Sequence, residues 1–290
     1  SKIDSIINRF SQLRKKLKSN MSYNDKKIFF ASLSKKHISF NKGKVVIVGA
    51  GPGDPGLLTL KAAESISNAD IILYDALIHP DILSLASKEC KKIFVGKRSG
   101  ENCIKQSAIN GMMKDFVKSG KIVVRLKGGD PFIFGRGGEE AIFLRNNQIP
   151  FNIIPGISSG VGVATQAGIP LTHRNYSKGV LFLTGHQQND DNSINWDLVS
   201  KLNTTLVIYM GYKKLNNIVL ALIKAGKDPE TPIGLIEKGT TAQQRITIGK
   251  IGSINKEIKT MKLETPIIII IGDILNIYQH LKDYIDIDPT

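Results

Sequence analysis

The 290-residue sequence predicts an α/β protein of two domains with a cleft between them, preceded by a basic N-terminal extension. Three observations carry that expectation. From Lys44 onward, short apolar runs alternate with turns and helical stretches, as parallel strands with right-handed crossovers require. After "GIPLTHRNYSKG" the last apolar runs follow one another with little helix between them, the pattern of a mixed sheet with antiparallel pairs. Finally, the charge is lopsided. Residues 1–44 hold twelve Lys or Arg against two Asp or Glu, so two thirds of the net +15 lies ahead of the first strand.

In order along the chain, residues 1–43 read as the basic extension or linker, either a solvated helix or a partner-binding arm. Residues 44–156 read as the first domain, with strands expected at 45–48, Ile71–Tyr74, Ile93–Val95, Ile122–Leu126 and Phe151–Ile154. Between them, Ile104, Ala108, Met112 and Phe116 recur every fourth residue and predict one face of a helix over 104–118. Residues 157–290 read as the second domain, with strands at Val180–Thr184, Thr205–Met210, Pro232–Glu237, Gln244–Ile248 and Pro266–Ile271. Helices are expected there at 196–202 and 213–225.

Composition excludes several classes. The longest aliphatic run, Ile267–Ile271, is too short to cross a bilayer, and residues 1–20 lack the apolar core of a secretion signal. Cys90 and Cys103 form no CxxC pair, which suits the reducing cytoplasm, and the five histidines are scattered. No metal site is expected. Because the basic excess sits on the extension, nucleic acid is not the expected partner.

Three glycine-rich loops carry the functional signal. In "VVIVGAGPGDPG", Gly49 and Gly51 begin a dinucleotide-type fingerprint, but the third glycine position is Asp54 and Pro52 removes an N–H. The loop is then either a tight strand-to-helix turn or a surface on which some other ligand lies against backbone. The second loop, "KGGDPFIFGRGG", ends a strand with Gly128, Gly129 and Asp130, where parallel sheets bind ligands. Asp130 offers a fixed anion there for an amine or a ribose hydroxyl. The third, "PGISSGVG", holds G-x-S-x-G around Ser158, the pattern of a hydrolase nucleophile elbow, but without an upstream oxyanion stretch or a defined acid and histidine.

Taken together, "VGAGPGDPGLLTLKA", "ADIILYD", "VGKRSG", "VRLKGGDPFIFGRGGEEA", "PGISSGVGVATQAGIPLTHR", "TGH", "VIYMG" and "EKGT" resemble the uroporphyrinogen-III C-methyltransferase family of tetrapyrrole methylases, over roughly residues 44–272. The resemblance implies S-adenosyl-L-methionine as cofactor, with S-adenosyl-L-homocysteine as product. It also implies a homodimer acting on a small-molecule tetrapyrrole in the interdomain trough. Two methyl transfers to uroporphyrinogen III would give precorrin-2 for sirohaem or corrin. By the same resemblance Pro52, Gly128, Gly129, Asp130, Ile133, Ser158, Ser159, Met210 and Gly239 match the cofactor contacts. Asp75 matches the proton acceptor and Lys97 the proton donor. Asp75 reads alternatively as a cap or turn residue, and Lys97 as a carboxylate anchor.

Charge and position add Arg98, Arg136 and Arg174 as counter-ions for the substrate's carboxylates. Ala76 stands where the family usually has Arg, and Asn102 where it usually has His. Residues 1–43 loosely resemble the segment that joins the methylase to the oxidase/chelatase module of fused siroheme synthases. Three competing readings remain: a methylase of ribosomal RNA on the same fold, a cofactor-binding protein without turnover, and a nicotinamide-dependent oxidoreductase.

Overall fold

The computed structural model describes residues 43–96, 104–185 and 194–283. Two five-stranded sheets make up the framework. The first comprises β1 (Lys44–Gly49), β2 (Ile71–Tyr74), β3 (Lys91–Phe94), β4 (Ile122–Lys127) and β5 (Phe151–Ile154), in the order β3-β2-β4-β1-β5. All four pairings are parallel, with Val46 opposite Val124 and Asn152, and Leu73 opposite Arg125 and Ile93. β4 lies between β1 and β2, so the order departs from the 3-2-1 half-sheet of dinucleotide-binding folds.

Strand β1 is buried along its whole length, and its alternate side chains feed two cores. Val46 and Val48 pack with α1 (Leu60–Ser67) through Ala62 and Ile66, and with Ile82 of α2 (Pro80–Ser84). On the opposite face, Val45 and Ile47 pack with Ile109 and Met113 of α3 (Gln106–Lys118) and with Leu144 of α4 (Gly137–Asn146). The helices that follow neighbouring strands β1 and β4 thus leave to opposite faces. Their loops nonetheless stay together at the carboxyl edge of the sheet, where Gly51 and Gly129 form an isolated bridge.

On α3 the expected stripe is shifted. Ile109 and Met113 are the most buried positions, while Ala108 is exposed. A strict four-residue spacing drifts around a 3.6-residue helix, so the buried face falls between the expected residues. Strand β3 also starts earlier than expected, at Lys91, because pairing opposite Ile71 recruits the two lysines ahead of Ile93.

The second sheet comprises β6 (Val180–Thr184), β7 (Thr205–Tyr209), β8 (Pro232–Glu237), β9 (Arg245–Lys250) and β10 (Ile267–Ile271), in the order β6-β7-β10-β8-β9. Only β6 and β7 are parallel, and the other three pairings are antiparallel. The five isoleucines of β10 alternate between two cores. Ile267, Ile269 and Ile271 join α6 (Trp196–Lys201) and α7 (Leu215–Lys224), while Ile268 and Ile270 join Val163 and Ala164 of α5 (Ser159–Gln166). Two short helices complete the described fold: α8 (Ile254–Glu257), and α9 (Leu275–Leu281), whose Leu275 is buried. Among the described residues no helix is long and apolar enough to cross a membrane.

Candidate active site

The loops after β1, β4 and β5 meet backbone to backbone at the carboxyl edge of the first sheet. Gly51 and Gly129 exchange both hydrogen bonds, Gly51 N–H to Gly129 O at 3.2 Å and Gly129 N–H to Gly51 O at 2.7 Å. A Cβ on Gly49 would lie 2.5 Å from Gly156 N and 2.6 Å from Gly129 O, and one on Gly156 would overlap that same carbonyl. Gly49 and Gly156 are therefore required by the mutual packing of the loops, and Gly129 by its left-handed backbone at φ 65°. Gly128 has the open space, its nearest neighbour being Leu77.

Two polar residues tie these loops together. Asp130 accepts from Phe132 N–H at 2.8 Å through one carboxylate oxygen and from Gly156 N–H at 3.2 Å through the other. Asp54 turns inward to accept from Gly56 N–H at 2.6 Å and caps a short 3-10 turn, Pro55–Leu57. The Asp54 N–H donates to Thr240 Oγ1 at 3.1 Å, which joins the first loop to the second sheet's β8–β9 connection.

Tyr209, at the end of β7, reaches across to the N-terminus of α5. Its hydroxyl lies 2.7 Å from Ser158 Oγ and accepts from Gly160 N–H at 2.8 Å. Its ring stacks at a tilt against Phe134, with centroids 5.0 Å apart. Burial pushes the Tyr209 phenol above its ordinary range, against the lowering effect of the Ser158 and Gly160 hydrogen bonds. Ser158 is thus engaged by a tyrosine rather than by a base, which removes the hydrolase reading.

Beside the loops lies a buried ionic cluster that breaks the apolar pattern of the central strand. Arg125 and Lys127 alternate on β4 and point to the α3/α4 face. Arg125 donates to Asp75 Oδ1 at 2.6 Å and to Glu140 Oε1 at 2.9 Å. Lys127 Nζ lies 3.3 Å from Glu140 Oε1 and 4.0 Å from Asp75 Oδ2. Asp75 alone reaches solvent, with 30% of its side chain exposed against 0–4% for the other three.

The neighbouring carboxylates raise the Arg125 guanidinium above its ordinary range, against the larger opposing effect of burial. Burial, and then the Arg125 charge, lower the Lys127 ammonium. Beyond Asp75 and Lys127 the connections carry exposed apolar side chains: Leu77 follows β2, and Phe132 and Ile133 follow β4. Met210 follows β7, with a left-handed backbone at φ 52° and more than half its surface exposed. Phe134, Arg136, Lys238 and Thr240 adopt positive φ as well, a concentration of strained non-glycine backbone at these connections.

A family model described as Tetrapyrrole (Corrin/Porphyrin) Methylases matches residues 44–255. The chain belongs to the tetrapyrrole methylases. A uroporphyrinogen-III C-methyltransferase of Priestia megaterium is 48% identical over 235 residues, covering 81% of this chain and 99% of its own. A siroheme synthase of Saccharophagus degradans is 43% identical over 242 residues, covering 83% of this chain and 53% of its own. The chain therefore spans about half the length of the siroheme synthases it matches. Among solved structures, the Thermus thermophilus uroporphyrin-III C-methyl transferase complexed with S-adenyl homocysteine superposes with a TM-score of 0.70. It is 33% identical, over 81% of this chain and all of its own.

The methylase's expected site residues divide by position. Asp75, Gly128, Gly129, Asp130, Ser158 and Ser159 come together at the carboxyl edge of the first sheet, with Pro52 against α5 beside Gly162. Met210 follows directly on Tyr209. Gly239 packs against Val163 of α5, and its carbonyl lies beside Gly53. Ile133 is exposed.

Of the expected substrate anchors, Arg136 is exposed and paired with Glu139 at 2.5 Å. Arg174 is exposed in the turn closed by the His173–Ser177 bridge. Lys97, Arg98 and Asn102 lie outside the described residues. The chain ahead of Lys97 is placed by Gly96, where any Cβ would strike the Ala76 backbone. Sequence reasoning missed Arg125, Lys127, Glu140 and Tyr209. Two cations alternating inside "VVRLKGG", a strand otherwise wholly apolar, were the available signal for the first three.

Proposed function

We propose that this methylase transfers methyl groups from S-adenosyl-L-methionine to carbon atoms of uroporphyrinogen III, twice, giving precorrin-2. The observation that carries the proposal is Asp75: one solvent-reaching carboxylate, held on a buried Arg125, at the carboxyl edge of the sheet that carries the glycine loops and the exposed apolar Leu77, Phe132 and Ile133. The 48% identity to a named uroporphyrinogen-III C-methyltransferase supports the choice of substrate.

The residues present suit the cofactor. Gly128 leaves backbone open to a ligand, and Met210 and Ile133 offer exposed apolar contact for a heterocycle. Pro52 and the inward-turned Asp54 leave the first loop without a phosphate cradle, which favours a cofactor lacking phosphates. When bound, S-adenosyl-L-methionine supplies an activated sulfonium methyl.

The chain's own tasks are then positioning and proton transfer. The loops hold the reduced pyrrole carbon in line at about 3–3.5 Å from its methyl donor and exclude water. Asp75 takes the proton that the methylated ring must lose, and Arg125 holds that carboxylate in place. Lys97 is assigned the compensating proton donation. Arg174 and, by exchange with Glu139, Arg136 are assigned to substrate carboxylates. Asp130, with both oxygens on backbone N–H groups, serves the cofactor by fixing the loops that contact it.

The same reading takes the enzyme as a cytosolic homodimer, which sedimentation velocity tests directly. Its chemistry is tested with Asp75→Asn. Methyl transfer should collapse while S-adenosylhomocysteine still binds, and turnover at the wild-type rate would refute Asp75 as the base.

A further inference from the structure

Behind Asp75, the ionic cluster is built with more parts than holding one carboxylate requires. Glu140 stands in the first turn of α4, 0% exposed, and its Oε1 accepts from three groups. These are Gln106 Nε2 of α3 at 3.1 Å, Arg125 Nε at 2.9 Å and Lys127 Nζ at 3.3 Å. Its second oxygen, Oε2, is buried without a hydrogen-bond partner among the described residues. A buried carboxylate with one oxygen unpaired costs free energy, so its retention calls for a purpose.

The cluster's charges supply one. Arg125 and Lys127 are the charged side chains that face Asp75 from β4, and Glu140 faces both of them from α4. Without Glu140, two buried cations would act on Asp75 alone. A carboxylate so stabilised is a poor proton acceptor. With Glu140 present the cluster holds two charges of each sign, and Arg125 and Lys127 are shared between two carboxylates.

We propose that Glu140 is a positioning residue for the methylase's proton transfer, its buried charge offsetting Lys127 so that Arg125 orients Asp75 while leaving it basic. This rests on the reading of Asp75 as the base, and goes beyond it by assigning roles to three residues that do not touch substrate. Burial and Arg125 lower the Lys127 ammonium while Glu140 and Asp75 raise it, consistent with a tightly coupled set.

The test uses the full chain with Glu140→Gln, which keeps size and hydrogen-bonding capacity but removes the charge, and with the double variant Glu140→Gln/Lys127→Met, which removes one charge of each sign. In Glu140→Gln, kcat should fall by about tenfold or more, with the uroporphyrinogen KM and S-adenosylhomocysteine affinity within about twofold of wild type. The acid limb of its kcat–pH profile should move to lower pH. The double variant should recover most of the rate and return the acid limb toward wild type, which a merely structural Glu140 would not allow.

An independent readout is the 13C-carboxyl titration of Asp75, assigned by the signal lost in Asp75→Asn. It should shift to lower pH in Glu140→Gln and return in the double variant. Unchanged titration in Glu140→Gln, or a double variant slower than the single, overturns the proposal. Should Glu140→Gln fail to fold, Lys127→Met and the double variant decide it: their Asp75 titrations must differ, with the double variant's at the lower pH, and equal titrations overturn it. If the wild type transfers no methyl, the functional reading fails, while the carboxyl titration still judges Glu140.

Discussion

Asp75 acquires its meaning from a residue fifty positions away, because Arg125 meets it across the β2–β4 pairing at 2.6 Å. Asp75→Ala should therefore slow methyl transfer by about 10²–10⁴-fold, the usual worth of a positioned proton acceptor, and leave S-adenosylhomocysteine affinity within about twofold. Isothermal titration alongside single-turnover kinetics separates the two. A second prediction at this scale concerns Tyr209. Tyr209→Phe removes the acceptor for Gly160 N–H and the partner of Ser158, and should cost about 1–3 kcal/mol in urea unfolding.

Asp75 was singled out through the resemblance to the tetrapyrrole methylases, which matched the carboxylate ending its strand to a proton acceptor. Two cations in an otherwise apolar strand signal a buried ionic cluster, but which groups complete it is set by cross-strand and helix–strand contacts that no local pattern spells out.

At the scale of elements, apolar periodicity was enough to locate the strands, since burial on both faces of a parallel sheet leaves little room for polar residues. β2, β5, β6 and β8 fall on their expected bounds, and the others shift by one or two residues, as where pairing recruits a flanking lysine or a strand ends at a left-handed residue such as Met210. The glycine loops stood out in the sequence, but not their division of labour. Gly49 and Gly156 let the loops touch one another, whereas Gly128 leaves its backbone in open space, where the proposed cofactor would approach. The two kinds predict different outcomes. Gly156→Ala forces a Cβ into the Gly129 carbonyl and should destabilise the fold by about 1–3 kcal/mol. Gly128→Ala meets only open space beside Leu77, so it should leave the melting temperature nearly unchanged and weaken S-adenosylhomocysteine binding instead. Thermal unfolding and calorimetric titration of both variants make the comparison.

At the scale of the whole molecule, stability and activity both have a measurable signature. Burial pushes the Cys90 thiol from 9.0 up to about 11, so its neutral form is favoured in the folded state. That contribution is fully present below about pH 9 and is lost as pH rises toward about 11, to a total of about 2–3 kcal/mol. Urea unfolding between these pH values should show a shallower fall in Cys90→Ala than in wild type; equal slopes would contradict the assignment. In the proposed reaction the two sheets act together: the first carries Asp75 and most of the loops, while Tyr209 and Thr240 of the second hydrogen-bond to those loops and Met210 is exposed after Tyr209. Ala76 follows Asp75 directly, is exposed, and stands where the family usually has Arg.

The most direct measurement of the central claim is anaerobic incubation of the enzyme with uroporphyrinogen III and methyl-labelled S-adenosyl-L-methionine, followed by mass spectrometry of the macrocycle. The account predicts two labelled methyl groups on each product molecule. No label on the macrocycle, from a preparation that still binds S-adenosylhomocysteine, would contradict it.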